Sequence, residues 1–508
     1  MTQSSALDCA WSLVFGMALS HRSNSWSTPF SCPAVIYNQM LEHSQHSITA
    51  GAVLHLARIE EETIQAPAKR FRVRPRLRAA YSLAFTATAL ASLIGCGSTY
   101  RPVVTAINPV GPAAQPQKYA VAISNPGAGL PGLVTIVDFS GDTVLITANV
   151  GVAPYYFILN ASGTTGYTLN GDGTLTSFDV SNQLQTRDVI QTTLLSGAAP
   201  NSIFPDVAST FITETYAGKP GASPAVAQLK GSPPALSQEL PVAAGYTPVY
   251  IAGFSGSPRA YLINQSTGGG NGQVAAIEIS SSTISSTVPV GKNPVYGVMT
   301  ADGKRAFILN QSDGTVSVIN SQTNQLDPVP APAANPIPVG VSPVWADLAP
   351  TRNELVVANA GTGKSPGSVS IINIPLCSAS ALPGNPNCDV NNPIDANGFG
   401  QVLANVPVGV NPLMVAVLQD GSRAYVVNQA DSTVSVVNLT TNTVTATIPV
   451  PATTHPNFIA AISGTPTGKV YITSPETNSM TVIRTDTDKV ETTIPLQGKG
   501  VMVRTQHP

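Results

Sequence analysis

Short β-branched strands between Asn, Gly and Asp turns recur with a period in the mid-forties over roughly 400 residues, and this predicts an all-β chain, a single β-propeller of four-stranded blades. Two spaced landmarks make the repeat countable. Gly-x-x-Pro occurs at Gly151/Pro154, Gly197/Pro200, Gly245/Pro248, Gly291/Pro294, Gly340/Pro343 and Gly409/Pro412, and Pro456 continues the series without its Gly. The prolines are 46, 48, 46, 49, 69 and 44 residues apart, so the unit after Pro343 carries an insertion. Asn170, Asn264, Asn310, Asn359 and Asn428 each lie 16 residues after such a proline; the units at Pro200 and Pro456 carry Tyr216 and Ile472 at that offset.

Each unit has one internal grammar. A strand follows the proline (Val295–Thr300), then an Asp-Gly turn, a second strand (Ala306–Leu309), a polar turn (Asn310-Gln-Ser-Asp-Gly314), a third strand (Thr315–Ile319) and a fourth. The strands are rich in Val, Ile, Thr and Tyr, as short half-buried or buried strands require. Second strands are expected near Tyr119, Tyr167, Phe211, Tyr261, Phe307, Val356, Tyr425 and Tyr471, which makes eight blades, or seven if the weak unit at Phe211 merges with its neighbour. The first of these has no strand of its own before it. The tail Gly500–Thr505 is expected to supply that inner strand and close the ring, removing an open sheet edge.

The stretch AYVVNQADSTVSVVNLTTNTVTATIPV, at 424–450, resembles the YVTN-family β-propeller repeat. The resemblance spans about 119–498 and is most specific at 294–320 and 412–450. It implies a propeller exported by a bacterium or archaeon, commonly of seven blades, and implies little about chemistry.

Ahead of the repeats, Lys69, Arg70, Arg72, Arg74, Arg76 and Arg78 form a basic run, followed by the mostly apolar Ala79–Ile94 and then Leu93-Ile94-Gly95-Cys96. A basic region, an apolar stretch and small residues before a cut site read as a secretory signal over 69–96. The ending resembles the bacterial lipobox, which makes Cys96 the lipidation candidate and places the protein at the outer membrane, on its periplasmic or cell-surface side. The alternative is an uncleaved anchor, although about 16 apolar residues fall short of a membrane span. Residues 1–68 show no propeller pattern and are read as a leader or the product of a misassigned start, and 97–118 as a Pro/Ala-rich tether to a propeller at 119–508. The first 96 residues hold 8 basic and 5 acidic side chains of totals of 25 and 27, leaving 17 basic and 22 acidic, a net −5, beyond them. That balance argues against a nucleic-acid partner, and a monomer is expected.

Cys377 and Cys388 both fall in the oversized unit and are expected to form a local disulfide within an insertion near 377–400. Asp389, Asn391, Asn392, Asp395 and Asn397 in the same insertion offer oxygen ligands suited to Ca²⁺, although turn chemistry explains the same letters; no cofactor is otherwise expected.

Catalytic constellations are sparse. Past the leader the only histidines are His455 and His507, and His455 reads as a turn residue. Asp172, Asp313 and Asp431 sit at turns where a carboxylate ordinarily bonds backbone, against a reading as funnel-lining acids. Gly268–Gly272 is a flexible turn rather than a phosphate cradle. The remaining candidates form a binding face. Asn264, Asn310, Asn359 and Asn428 recur around one face, where amides suit sugars or peptide backbone, against a purely local turn role. Trp345 is expected either as a rim aromatic or as a blade-packing residue. The functional expectation is a non-enzymatic, lipid-anchored propeller that binds an envelope protein, peptide or glycan. The alternative is a propeller hydrolase or lactonase acting through funnel carboxylates, with a divalent metal in some versions.

Overall fold

The computed structural model describes residues 118–506, apart from 182–183, 185–186, 191–198, 208, 216–222, 232–233, 328–332, 376–397 and 465–466. Cys96, Cys377, Cys388, Tyr216, His507 and the insertion's Asp389, Asn391, Asn392, Asp395 and Asn397 lie outside the described residues.

Eight antiparallel sheets follow one another as the blades of a propeller. The inner strands of blades 2–8 are Pro154–Leu159, Ala199–Pro205, Tyr246–Gly253, Pro294–Met299, Pro343–Ala349, Pro412–Val417 and Phe458–Ile462. In each case the chain runs outward through consecutive hairpins, and all eight predicted second strands are present, including the one at Phe211. Among the described residues the only helical turn is Pro451–Thr453.

Blade 1 is assembled from both ends of the propeller. Its inner strand is Lys499–Thr505, paired antiparallel with Tyr119–Asn125, which continues into Pro131–Asp138 and Thr143–Val152. The ring is therefore closed by ladder hydrogen bonds between the last and the first strand of the described residues. Blade 5 departs from the repeat at its rim. Its outer strand is split into Gln325–Leu326 and Ile337–Pro338; the sequence between them carries Pro328, Pro330, Pro332 and Pro336, residues with no N–H for a ladder. The Asn335 amide stands in for the missing ladder, donating to Val318 O at 2.7 Å and to Asp327 O at 2.8 Å and accepting from Val318 N at 3.0 Å.

Apolar contact between sheets holds the ring. Phe307, Leu309, Val316 and Val318 of blade 5 pack on Leu355, Val357 and Ile372 of blade 6, and the same interleaving joins other neighbours. Each such fully buried side chain contributes about 1.5–3 kcal/mol. Polar fasteners repeat at three seams. The second-strand tyrosines Tyr261, Tyr425 and Tyr471 donate to Asn324 Oδ1 (2.8 Å), Asp488 Oδ1 (2.5 Å) and Asp142 Oδ1 (3.2 Å) of the following blade. These acceptors sit in the turn between third and fourth strands at φ of 54°, 51° and 50°, a left-handed geometry that Asn and Asp tolerate best among residues with a Cβ. At the closing seam Lys469 Nζ adds an ion pair to Asp142 Oδ2 at 2.6 Å, with both side chains under 10% exposed.

Candidate binding cavity in the central channel

The two sequence landmarks prove to be parts of one contact. Pro154, Pro248, Pro294, Pro343 and Pro412 lie directly across the first hairpin from Asn170, Asn264, Asn310, Asn359 and Asn428. The asparagines are buried, at 0–1% exposure. Asn310 Nδ2 donates to Thr315 Oγ1 and Ser317 Oγ, and Asn428 Nδ2 to Thr433 Oγ1 and Ser435 Oγ, at 2.9–3.0 Å. Asn359 bonds Ser368 and Ser370 in the same manner, while Asn264 reaches only Leu262 O at 3.3 Å. The landmark Gly is required by this arrangement at Gly151, Gly291, Gly340 and Gly409, where a Cβ would press on the paired asparagine (2.7 Å from the Asn310 side chain at Gly291); at Gly245 the space is open and the requirement is its φ of 84°. The residue before the proline carries the turn, with φ of 50° at Asn293, 58° at Ser342 and 56° at Asn411.

This corrects the binding-face expectation. Asn264, Asn310, Asn359 and Asn428 have no exposed surface to offer a ligand. The turn acids are also occupied: Asp172, Asp313 and Asp431 accept the backbone N–H of Val152, Lys292 and Val410 at 2.8, 2.7 and 2.6 Å, tying the turn to the link into the inner strand. His455 lies on an exposed turn at φ 47°, 2.8 Å from Glu476 Oε2. No group of three or more His, Cys, Asp or Glu that could hold a metal occurs among the described residues.

The chemistry-bearing residues instead line the channel. A bulge follows the landmark proline in blades 2 to 7, placing two inner-strand residues opposite one on the second strand. The residues two and four positions after the proline then share the channel side of the strand. The first layer is Tyr156, Ser202, Tyr250, Tyr296, Trp345, Met414 and Phe458, with Met502 completing it from blade 1, where Gly500 pairs with Ser124 as Pro294 pairs with Asn310. Tyr250 and Tyr296 lie 4.8 Å apart between ring centres, Tyr296 and Trp345 stack at 4.1 Å, and Trp345 meets Phe458 edge-on at 5.9 Å. Trp345 is thus a channel residue rather than a rim residue. Burial pushes the Tyr156, Tyr250 and Tyr296 phenols above their ordinary value, so they stay neutral hydrogen-bonding groups.

The second layer is Ile158, Phe204, Ala252, Val298, Asp347, Ala416, Ala460 and Arg504. Six members are apolar, and two, from blades 6 and 1, are charged. Asp347 Oδ2 accepts Val417 N–H at 2.8 Å and Oδ1 its neighbour Leu348 N–H at 2.9 Å. Loss of solvent pushes its carboxyl up to about 6, partly opposed by those two backbone bonds and by Arg504. The Arg504 guanidinium lies 4.6 Å from the Phe458 ring centre and 5.9 Å from that of Trp345, and its Nε has no hydrogen-bond partner. A cavity of about 330 Å³ lies here, with Tyr250, Tyr296, Trp345, Asp347, Met414, Ala416, Ala460 and Arg504 in its lining. It is near the lower end of the volumes typical of small-molecule sites.

Sequence reasoning passed over this site. The aromatic run two residues after each landmark proline was available as a signal. The Asp347–Arg504 relationship was not, because it joins positions from blades far apart in the chain.

No family model matches the sequence, and no curated protein matches it significantly. Solved β-propeller structures do. Apo AztD from Citrobacter koseri superposes with a TM-score of 0.51 at 13% identity, over 76% of this chain and 97% of that one. The dihydro-heme d1 dehydrogenase NirN, in complex with DHE, gives 0.52 at 12% identity, over 77% and 75%. At such identities the likeness concerns the fold alone.

Proposed function

We propose that this chain is a non-enzymatic binding propeller whose ligand enters the cavity at the end of the central channel. The observation that carries this reading is the pairing of an aromatic floor with just two charged side chains, Asp347 and Arg504, in a layer otherwise built of apolar residues. Charges in a channel are costly without partners, and a ligand supplies the missing ones. The partner is a small molecule, free or displayed on an envelope peptide or glycan. Export and lipid attachment through Cys96 belong to the same reading, supported by the signal-like 69–96 segment.

The test is a thermal-shift screen of the purified protein against metabolites, envelope peptides and glycans, repeated with Trp345→Ala. Ligands that raise the melting temperature of the parent and not of the variant support the cavity. A hydrolytic reading would rest on Asp347, whose raised carboxyl suits an acid–base role. The cavity lining holds no second carboxylate, which favours binding over paired-carboxylate hydrolysis. Turnover of a bound ligand, abolished in Asp347→Asn, would replace the first reading by the second. Globomycin-sensitive processing and mass spectrometry of the mature N-terminus test the lipid claim; a mature chain retaining residues before Cys96 would refute it.

A further inference from the structure

We infer that the cavity takes a small aromatic zwitterion, with its carboxylate on Arg504, its ammonium on Asp347 and its ring over Trp345 and Tyr296. The inference rests on the cavity being the ligand site and adds the class of ligand. Around the second layer, Asp347 of blade 6 and Arg504 of blade 1 are separated by blades 7 and 8, which contribute Ala416 and Ala460. These are the smallest side chains the layer uses. They leave a gap between a carboxylate and a guanidinium, lined also by Trp345 and Met414.

Neither charge forms a salt bridge among the described residues, and Arg504 acts on Asp347 only as a nearby charge. The Arg504 guanidinium carbon lies 4.6 Å from the Phe458 ring centre and its Nε–H has no partner, so the group keeps N–H donors for a carboxylate. Asp347 spends one lone pair of each oxygen on backbone N–H, and the remaining pairs can accept from an ammonium. A ligand carrying only an anion would place its charge near an uncompensated Asp347. One carrying only a cation would face Arg504, and a neutral one would bury both charges unpaired. A molecule with both groups satisfies both ends. Trp345 and Tyr296, stacked on each other in the cavity lining, offer apolar contact to a flat aromatic body.

The experiment is calorimetric titration of the full chain with L-phenylalanine, 3-phenylpropanoate and phenethylamine, which differ in the charges they carry. L-Phenylalanine is expected to bind at least tenfold more tightly than either analogue. Asp347→Asn should reduce L-phenylalanine affinity at least tenfold without weakening 3-phenylpropanoate. Arg504→Gln should do the same while sparing phenethylamine. The comparison of probes on the parent protein stands even if a variant fails to fold. Equal affinity for L-phenylalanine and 3-phenylpropanoate would overturn the inference in favour of a simple anion pocket. Failure of all three probes, while other ligands bind and are lost in Trp345→Ala, would overturn the zwitterion and keep the cavity. Ligand binding that Trp345→Ala never affects would overturn the cavity reading itself.

Discussion

Gly409 and Asn428 occupy one small space: a Cβ on Gly409 would lie 2.6 Å from the Asn428 side-chain carbon, while Asn428 Nδ2 holds Thr433 and Ser435 at 3.0 and 2.9 Å. The link into the inner strand and the start of the second turn are thus fitted to each other. Gly409→Ala should push the amide off both hydroxyls and cost roughly 2–3 kcal/mol. In an Asn428→Ala background the same substitution should cost less, because one of its two close contacts is gone while Asp431 Oδ2, also 2.6 Å from that Cβ, remains. Urea denaturation of the four members of this cycle measures the coupling, and additive costs would contradict the contact.

The closing seam makes a second prediction. Lys469 and Asp142 are both nearly buried, and Asp142→Asn keeps a residue that tolerates φ of 50° while removing the charge. Lys469 would then keep only the longer contact to Glu491 Oε2 at 3.6 Å, and the loss of the short charged bond should cost about 1.5–3 kcal/mol. Asp486→Asn, at the solvent-exposed pair with Arg484, should leave the denaturation midpoint unchanged.

Asp347 gives a pH signature. Its carboxyl is pushed up to about 6 from an ordinary value of 3.8, chiefly by loss of solvent; Arg504 and the neutral phenol of Tyr296 are the titratable groups coupled to it. A carboxyl with a raised value holds its proton more tightly when folded. Its contribution is therefore fully present below pH 3.8 and is lost as pH rises through 6. Asp347→Asn lacks this loss, so its stability relative to the parent should improve by ~2–3 kcal/mol between pH 3.5 and pH 7.5. Denaturant midpoints at the two pH values check it, and a pH-independent difference would contradict the shift.

Removal of residues 499–508 should expose the inner edge of Tyr119–Asn125 and take Arg504 from the channel. An unpaired strand edge recruits other strands, so the truncated chain should gain mass by light scattering. A synthetic peptide covering the missing strand should reverse the association. An unchanged mass would mean that closure does not depend on this pairing.

The blades were legible in the sequence because strand alternation, turn residues and the spaced Gly, Pro and Asn are local requirements repeated many times. Even the weak unit at Phe211 forms a full second strand, Thr210–Thr215, and the unpaired first strand correctly demanded Gly500–Thr505 as its partner. The role of the asparagines was not legible. A recurrent Asn reads alike whether it faces solvent or fills a pocket beside a glycine, and only the packing of Gly291 on Asn310 shows which. Blade number, strand order and ring closure thus followed from sequence, since most blades are written within some 46 contiguous residues and the one incomplete unit at the start called for the strand at the end. The cavity, its aromatic lining and the presence of both Asp347 and Arg504 in it were decided by tertiary structure alone. Residues more than 150 positions apart in the chain become neighbours only when the ring closes and turns every inner strand toward one axis.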